Sequence, residues 1–200
     1  MKLRYSPTSP FARKVLVVAQ ETGSQNRLEL IKTATLVPDA QLTRDNPLQK
    51  IPALLLENGE SLFDSPVICE YLDSLHDGTK MFPASGQDRW TALRRQALAD
   101  GMIDASILRR YESMRPVELR SANWDAAQKL KVDQGLAALE GEVARFGQRI
   151  DIGTLAIAIL LDYLNFRFAA EDWTGRCPTL AAWHQEISQR PSLASTLPHD

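Results

Sequence analysis

The stretch "NPLQKIPALLLENGESLFDSPVICEYL", Asn46 to Leu72, decides the fold. Within it "PALLLE" is strand-like, "NGE" is a turn, and "SLF" can return as the antiparallel partner. A helix is expected to follow over Pro66 to Leu75, with Ser65 as its cap and Pro66 at its first position. An Ile-Pro entering a strand is unusual, because proline lacks the ladder donor. A cis Ile51–Pro52 bond would account for it, since cis bonds are essentially confined to X–Pro. The Ile51 N–H and C=O would then be left to pair with a peptide-like ligand. At the next helix start, Asp64 can bind an ammonium, while the Ser65 hydroxyl and the helix N–H groups can bind a carboxylate. Together they suit an α-amino acid head group, although capping alone would also explain Asp-Ser-Pro.

Upstream, "KLRY" is short and strand-like, and Phe11 to Thr22 is helical, stopping at Gly23. "RLELIK" alternates apolar and polar residues over Leu28 to Ile31, which suits a half-buried strand. A loop with weak helical character runs through "PDAQLTRDNP". The order βαβ, loop, ββα in fewer than 80 residues is the thioredoxin-like pattern, so an α/β domain is expected over residues 1–78.

"HDGTKMFPASG", His76 to Gly86, is the most linker-like stretch, a composition break rather than a long tether. After it the helical period takes over. Trp90, Leu93 and Ala97 recur at three- and four-residue spacing, as do Leu136, Leu139, Val143 and Phe146. Leu180, Trp183 and Ile187 repeat the pattern, with Pro178 at the helix start. An all-helical bundle is expected over residues 86–200.

Composition excludes several classes of function. Apolar content of 44% and charged content of 24% are those of a globular protein. The net charge is −2, with 8 basic and 10 acidic residues up to residue 78 and 15 of each beyond it. Neither half is a basic module, so nucleic acid is not an expected partner. Cys69 and Cys177 belong to no C-x-x-C or zinc spacing, and His76, His184 and His199 form no ligand cluster, so no metal is expected. The opening "MKLRYSPTSP" has no apolar core for a signal peptide. "LAIAILL", Leu155 to Leu161, stops at Asp162, too short to span a bilayer. A reducing cytoplasm and no membrane partner are the expectation.

Chemistry is concentrated at a second corner, "SPTSPFARK", Ser6 to Lys14. Ser9 followed by Pro10 reads as a helix start. A serine there satisfies an orphan N–H, worth about 1 kcal/mol. The same place carries free N–H groups and the positive dipole end, so its hydroxyl can also donate to a bound thiolate.

S-P-F-x-R-K, N-P-x-x-K-I-P-A-L and D-S-x-x-I-x-E-Y-L occur in order, and the last helix reads "CPTLAAWHQEISQRPS". This combination resembles the cytosolic glutathione transferase family over essentially the whole chain. The nearest members are serine-type enzymes, including the small bacterial YibF-like ones, which share "LADG", "YLNFR" and the TSPF corner in kind. The resemblance implies a thioredoxin-like domain followed by a helical bundle, a homodimer, and glutathione as co-substrate. It implies that Ser9 hydrogen-bonds the glutathione sulfur and that Lys50 lies near the glycyl carboxylate. Ile51 would pair with the cysteinyl unit, and Asp64 and Ser65 would hold the γ-glutamyl end. A small hydrophobic electrophile would be the second substrate, in an apolar pocket that Phe11, Ile107 and Tyr111 could line, although a core or dimer-interface role would also explain these three. Asp100 and Asp104, on the helix of Ile107 and Tyr111, read as a polar wall, a partner contact or solvated surface. A non-catalytic glutathione-binding protein of the same fold is the competing implication.

Two positions depart from the family pattern. The family's central helix usually opens with Ser or Thr followed three residues later by Asp; here Asp151 and Thr154 exchange those types, and folding is expected to be intact. Gln49 stands where glycine is common.

Overall fold

The computed structural model describes residues 1–200. They divide into two compact units, Met1–Arg89 with Arg190–Asp200, and Trp90–Gln189. The composition break at 76–86 lies just ahead of this division. The last eleven residues, expected in the helical domain, belong instead to the first unit.

The first unit is built on a four-stranded sheet of order β2-β1-β3-β4. Its strands are β1 (Lys2–Tyr5), β2 (Glu29–Lys32), β3 (Ala53–Leu55) and β4 (Ser61–Leu62). β1 pairs parallel with β2 and antiparallel with β3, and β3 pairs antiparallel with β4. The helices are α1 (Pro10–Glu21), α2 (Ala40–Asp45) and α3 (Ser65–Ser74). α1 packs on α3 and on the sheet, burying Val15, Val18, Leu3, Leu54, Ile68 and Leu72 completely. Each such side chain contributes about 1.5–3 kcal/mol of transfer free energy. Cys69 lies in the same core.

α1 stops where the sequence predicts. Gly23 takes φ +68°, the Ser24 N–H donates to the Ala19 carbonyl (2.7 Å), and the Gly23 N–H donates to Gln20 (3.2 Å). This paired arrangement satisfies the helix's last carbonyls and needs a residue that tolerates positive φ. α3 differs by one residue from the expectation: Asp64 is the N-cap, Ser65 the first helical residue and Pro66 the second. Proline lacks only an N–H that no helix can use in its first turn, so both registers satisfy Asp-Ser-Pro equally.

The stretch 76–86 is held in place. The buried Asp73 carboxylate accepts the Met81 (2.8 Å) and Phe82 (3.0 Å) N–H groups, and Lys80 donates to the Asp73 carbonyl (2.7 Å). The chain's end returns as α9 (Pro191–Ala194) against α1. Arg190 makes two 2.6 Å hydrogen bonds to Glu21, which also accepts from Ser192. Arg13 donates to the Leu193 carbonyl (3.0 Å) and the Thr196 hydroxyl (3.3 Å). Burial raises the Glu21 pKa, but the hydrogen bonds from Arg190 and Ser192 outweigh it and hold the carboxyl below its ordinary value.

The second unit contains most of α4 (Gly86–Met114), then α5 (Ala122–Glu142), α6 (Ile152–Phe168), α7 (Trp173–Arg176) and α8 (Pro178–Ile187). Helical periodicity predicts α4 correctly, but Trp90, at 64% exposure, and Ala97 face outward. Ala92, Arg95, Gln96, Ala99, Met102 and Ile103 form its buried stripe instead. Arg95 is accommodated there by Glu142 (2.8 Å), the Arg145 carbonyl (3.1 Å) and the Phe146 ring (4.5 Å to its centroid). Leu136, Leu139, Val143 and Phe146 are buried as the pattern implies, although α5 ends at Glu142.

α6 is the core helix, buried continuously from Ile152 to Leu164. The apolar run does not end at Asp162. Ile152–Glu171 is long and apolar enough to cross a bilayer, but 72% of that window is buried in the fold, as in the core helix of a globular protein. Asp162 is paired with His184 at 2.8 Å, which lets the run pass through an acidic position. Gly153 meets α4 closely: a Cβ there would lie 2.6 Å from the Ala92 carbonyl oxygen. α8 has no side-chain cap of its own. Glu140 supplies one from α5, accepting the N–H groups of Thr179 (3.0 Å) and Leu180 (2.7 Å).

Candidate functional site

The sheet register collects the predicted residues of the first unit. Arg4, near the end of β1, stands opposite Ala53 at the start of β3, and Leu54 stands opposite Leu62 at the end of β4. Hence the segment after β1, the segment before β3 and the segment after β4 all lie at one end of the sheet. These segments carry Ser9, then Lys50 and Ile51, then Asp64 and Ser65. Two helix amino termini, those of α1 and α3, open at that end. Each concentrates free N–H groups and positive dipole, so the corner favours anions.

The polar groups there differ in how far they are already committed. Ser9 caps α1, its Oγ accepting the Ala12 N–H at 3.2 Å, while its own N–H donates to the Ser6 carbonyl (3.0 Å). Accepting uses an oxygen lone pair, so the hydroxyl proton stays available to a ligand. Ile51 precedes a cis bond to Pro52, and neither its N–H nor its C=O takes part in a backbone hydrogen bond. Asp64 is exposed and makes no side-chain cap bond. Ser65 is 1% exposed. Lys50 is exposed, and its carbonyl accepts from Asn46 Nδ2 at 2.9 Å.

Gln49 adopts φ +52°, the left-handed region, with its amide donating to Thr43 Oγ1 at 2.5 Å. That backbone explains the departure physically, because glycine reaches such a φ without steric cost.

The three residues expected around an electrophile are not gathered within one unit. Phe11 is half-buried on α1; Ile107, half-buried, and Tyr111, exposed, are on α4 in the helical unit. Asp104 is exposed and Asp100 half-buried on that helix. Lys14 was legible only as part of a motif. It is fully buried, with its ammonium 5.6 Å from the Phe11 ring centroid, and a lysine so enclosed is uncommon. Its position three residues beyond Phe11, on the apolar side of an amphipathic helix, was the available signal.

A thioredoxin-like unit with an anion-favouring corner, joined to a helical unit, defines a class of two-part α/β and all-α proteins. The family model described as "Glutathione S-transferase, N-terminal domain" matches residues 8–75, which include all five predicted positions of the corner. The protein described as "Uncharacterized GST-like protein YibF" of Escherichia coli (strain K12) is 34% identical, with 99% of this chain and 98% of that protein covered. A glutathione transferase family member from Pseudomonas fluorescens Pf-5, solved with bound glutathione, superposes with a TM-score of 0.95 at 45% identity, covering 100% of this chain and 99% of that one. A structure from the same organism with bound S-(propanoic acid)-glutathione gives 0.91 at 42%, covering 100% of both. The chain belongs to the glutathione S-transferase family.

Proposed function

We propose that this enzyme binds glutathione at the corner formed by Ser9, Lys50, Ile51, Asp64 and Ser65 and transfers its thiolate to a small hydrophobic electrophile. The observation that carries the reading is the set of groups with no partner within the fold: the Ser9 hydroxyl proton, the Ile51 backbone pair, and the side chains of Asp64 and Ser65. Glutathione offers a counterpart to each. Asp64 takes the α-ammonium, Ser65 and the α3 amino terminus take the α-carboxylate, Ile51 pairs with the cysteinyl peptide, and Lys50 faces the glycyl carboxylate. The bound glutathione of the Pseudomonas fluorescens relative supports the ligand, and its S-(propanoic acid) derivative supports a substituent on sulfur.

Ser9 acts on the sulfur. A hydrogen bond to a charged partner is worth roughly 1.5–3 kcal/mol, enough to lower a thiol pKa by about one to two units. From a reference of about 8.5, a two-unit drop raises the thiolate fraction at pH 7 from about 3% to roughly 75%. Lower basicity reduces nucleophilicity with a slope near 0.4–0.5, returning about eightfold and leaving roughly a threefold gain. The larger contribution is proximity, the electrophile being held beside the sulfur. The protein acts in the cytoplasm as a homodimer, a second copy covering apolar surface such as Trp90.

Calorimetric titration with glutathione tests the ligand assignment. Single-site binding that weakens in Asp64→Ala and in Lys50→Ala is expected. No binding at millimolar glutathione would overturn it.

A further inference from the structure

We propose that the helical unit carries a second binding site, independent of the glutathione corner, for an aromatic carboxylate. The site is a cavity of about 730 Å³ lined by the ends of α4 and α6, the turn after α4, and the start of α5. That volume is in the range of small-molecule pockets. Its lining carries four arginines and three carboxylates, a formal charge of +1.

The carboxylates are all committed. Glu171 and Asp125 hold Arg109, with Arg109 nitrogens 2.5 and 3.1 Å from Glu171 and 3.1 Å from Asp125. Burial opposes the Arg109 charge, but these hydrogen bonds outweigh it and raise its pKa further. Glu112 accepts the Ser121 N–H (2.6 Å) and pairs with Arg115 (3.0 Å), and in that order these hold its carboxyl below the ordinary value.

Two of the arginines hydrogen-bond neutral groups only, although Arg120 also feels the charge of Glu112. Arg110 reaches the Ser113 hydroxyl at 3.4 Å, and Arg120 donates to the Arg115 carbonyl at 2.8 Å. Their planar forks can take a carboxylate bidentately. The rest of the lining suits a flat apolar body. The Arg167 guanidinium lies 3.8 Å from the Phe166 centroid and that of Arg109 4.6 Å from the Phe168 centroid, and Val117 and Ala122 complete the apolar surface. Stacked guanidinium and phenyl planes offer broad faces to an aromatic ring.

The test is calorimetric titration of the full chain with 2-naphthoate, with and without 10 mM glutathione, and with 2-naphthalenemethanol as the neutral isostere. Expected are one site per chain, affinity unchanged by glutathione, and at least tenfold weaker binding of the alcohol. The Arg110→Met/Arg120→Met double variant should bind 2-naphthoate about 10- to 100-fold more weakly, with glutathione affinity retained. If that variant loses its far-ultraviolet circular dichroism, Ala122→Trp, which fills the cavity, is read instead and should abolish the site. No binding of 2-naphthoate, equal binding of the alcohol, displacement by glutathione, or indifference to these substitutions would overturn the proposal. A failure of glutathione to bind would leave it standing.

Discussion

Of the four helices that open on aspartate, α6 and α3 use their caps in opposite ways. At the start of α6, Asp151 is buried and locked: its carboxylate accepts the Thr154 N–H at 3.0 Å, and Thr154 Oγ1 accepts the Asp151 N–H at 3.0 Å. At the start of α3, Asp64 is exposed and caps nothing with its side chain. The first satisfies two orphan donors of a core helix within the chain itself. The second leaves its helix's free N–H groups and its own charge facing outward, where a zwitterionic head group can use both. The same residue type serves stability where its bonds are closed and, in the function proposed above, binding where they are open.

Substitutions should separate the two. Asp64→Ala is expected to weaken glutathione binding by about 10- to 100-fold, the worth of a hydrogen-bonded charge pair, while calorimetric unfolding shifts by under about 0.5 kcal/mol. Asp151→Ala should do the reverse. It removes a cap and leaves the buried Thr154 N–H unpaired, costing about 2 kcal/mol and lowering Tm by about 4–8 °C, with glutathione affinity of the folded protein unchanged. If Asp64→Ala destabilised as much as Asp151→Ala, the contrast would collapse into two ordinary caps.

A third measurement sharpens the comparison with a closed carboxylate in the first unit. Glu21 has its pKa lowered on folding, so its bonds to Arg190 and Ser192 contribute fully above the ordinary carboxyl value of 4.5 and are lost as pH falls below it. Wild type should therefore be more stable than Glu21→Gln at pH 7, with the gap closing in thermal melts as pH falls below the ordinary carboxyl value of 4.5. Smallest of all is Gln49→Gly. Relief of positive φ and the added entropy of unfolded glycine nearly cancel, so stability should change by less than about 1 kcal/mol.

The sequence made the first unit legible because its devices are local. Ile-Pro before a strand, Asn-Gly between two strands and Gly23 after an amphipathic run each act within a few residues. Even the Asp151–Thr154 box, with its types exchanged, could be read from spacing three. What escaped reading depends on the fold. Period alone finds α4 but not which stripe is buried, since Arg95 and Gln96 go inside only where Glu142 and Phe146 receive Arg95. The return of residues 190–200 to α1 rests on Arg190 meeting Glu21 across 169 positions. The arginines of the helical cavity come from three separate segments, so no motif announces them. Phe11, Ile107 and Tyr111 likewise occupy ordinary helix positions, which is why the electrophile is encoded far more weakly than glutathione.

In the proposed function Ser9 donates its remaining proton to a glutathione thiolate while it caps α1. Ultraviolet difference titration of bound glutathione, following thiolate absorbance against pH in wild type and Ser9→Ala, tests it most directly. The expected result is a bound thiol pKa about one to two units below that of free glutathione, rising again in the alanine variant. A bound pKa equal to the free value, or one unmoved by the substitution, would contradict it and leave Ser9 as a helix cap alone.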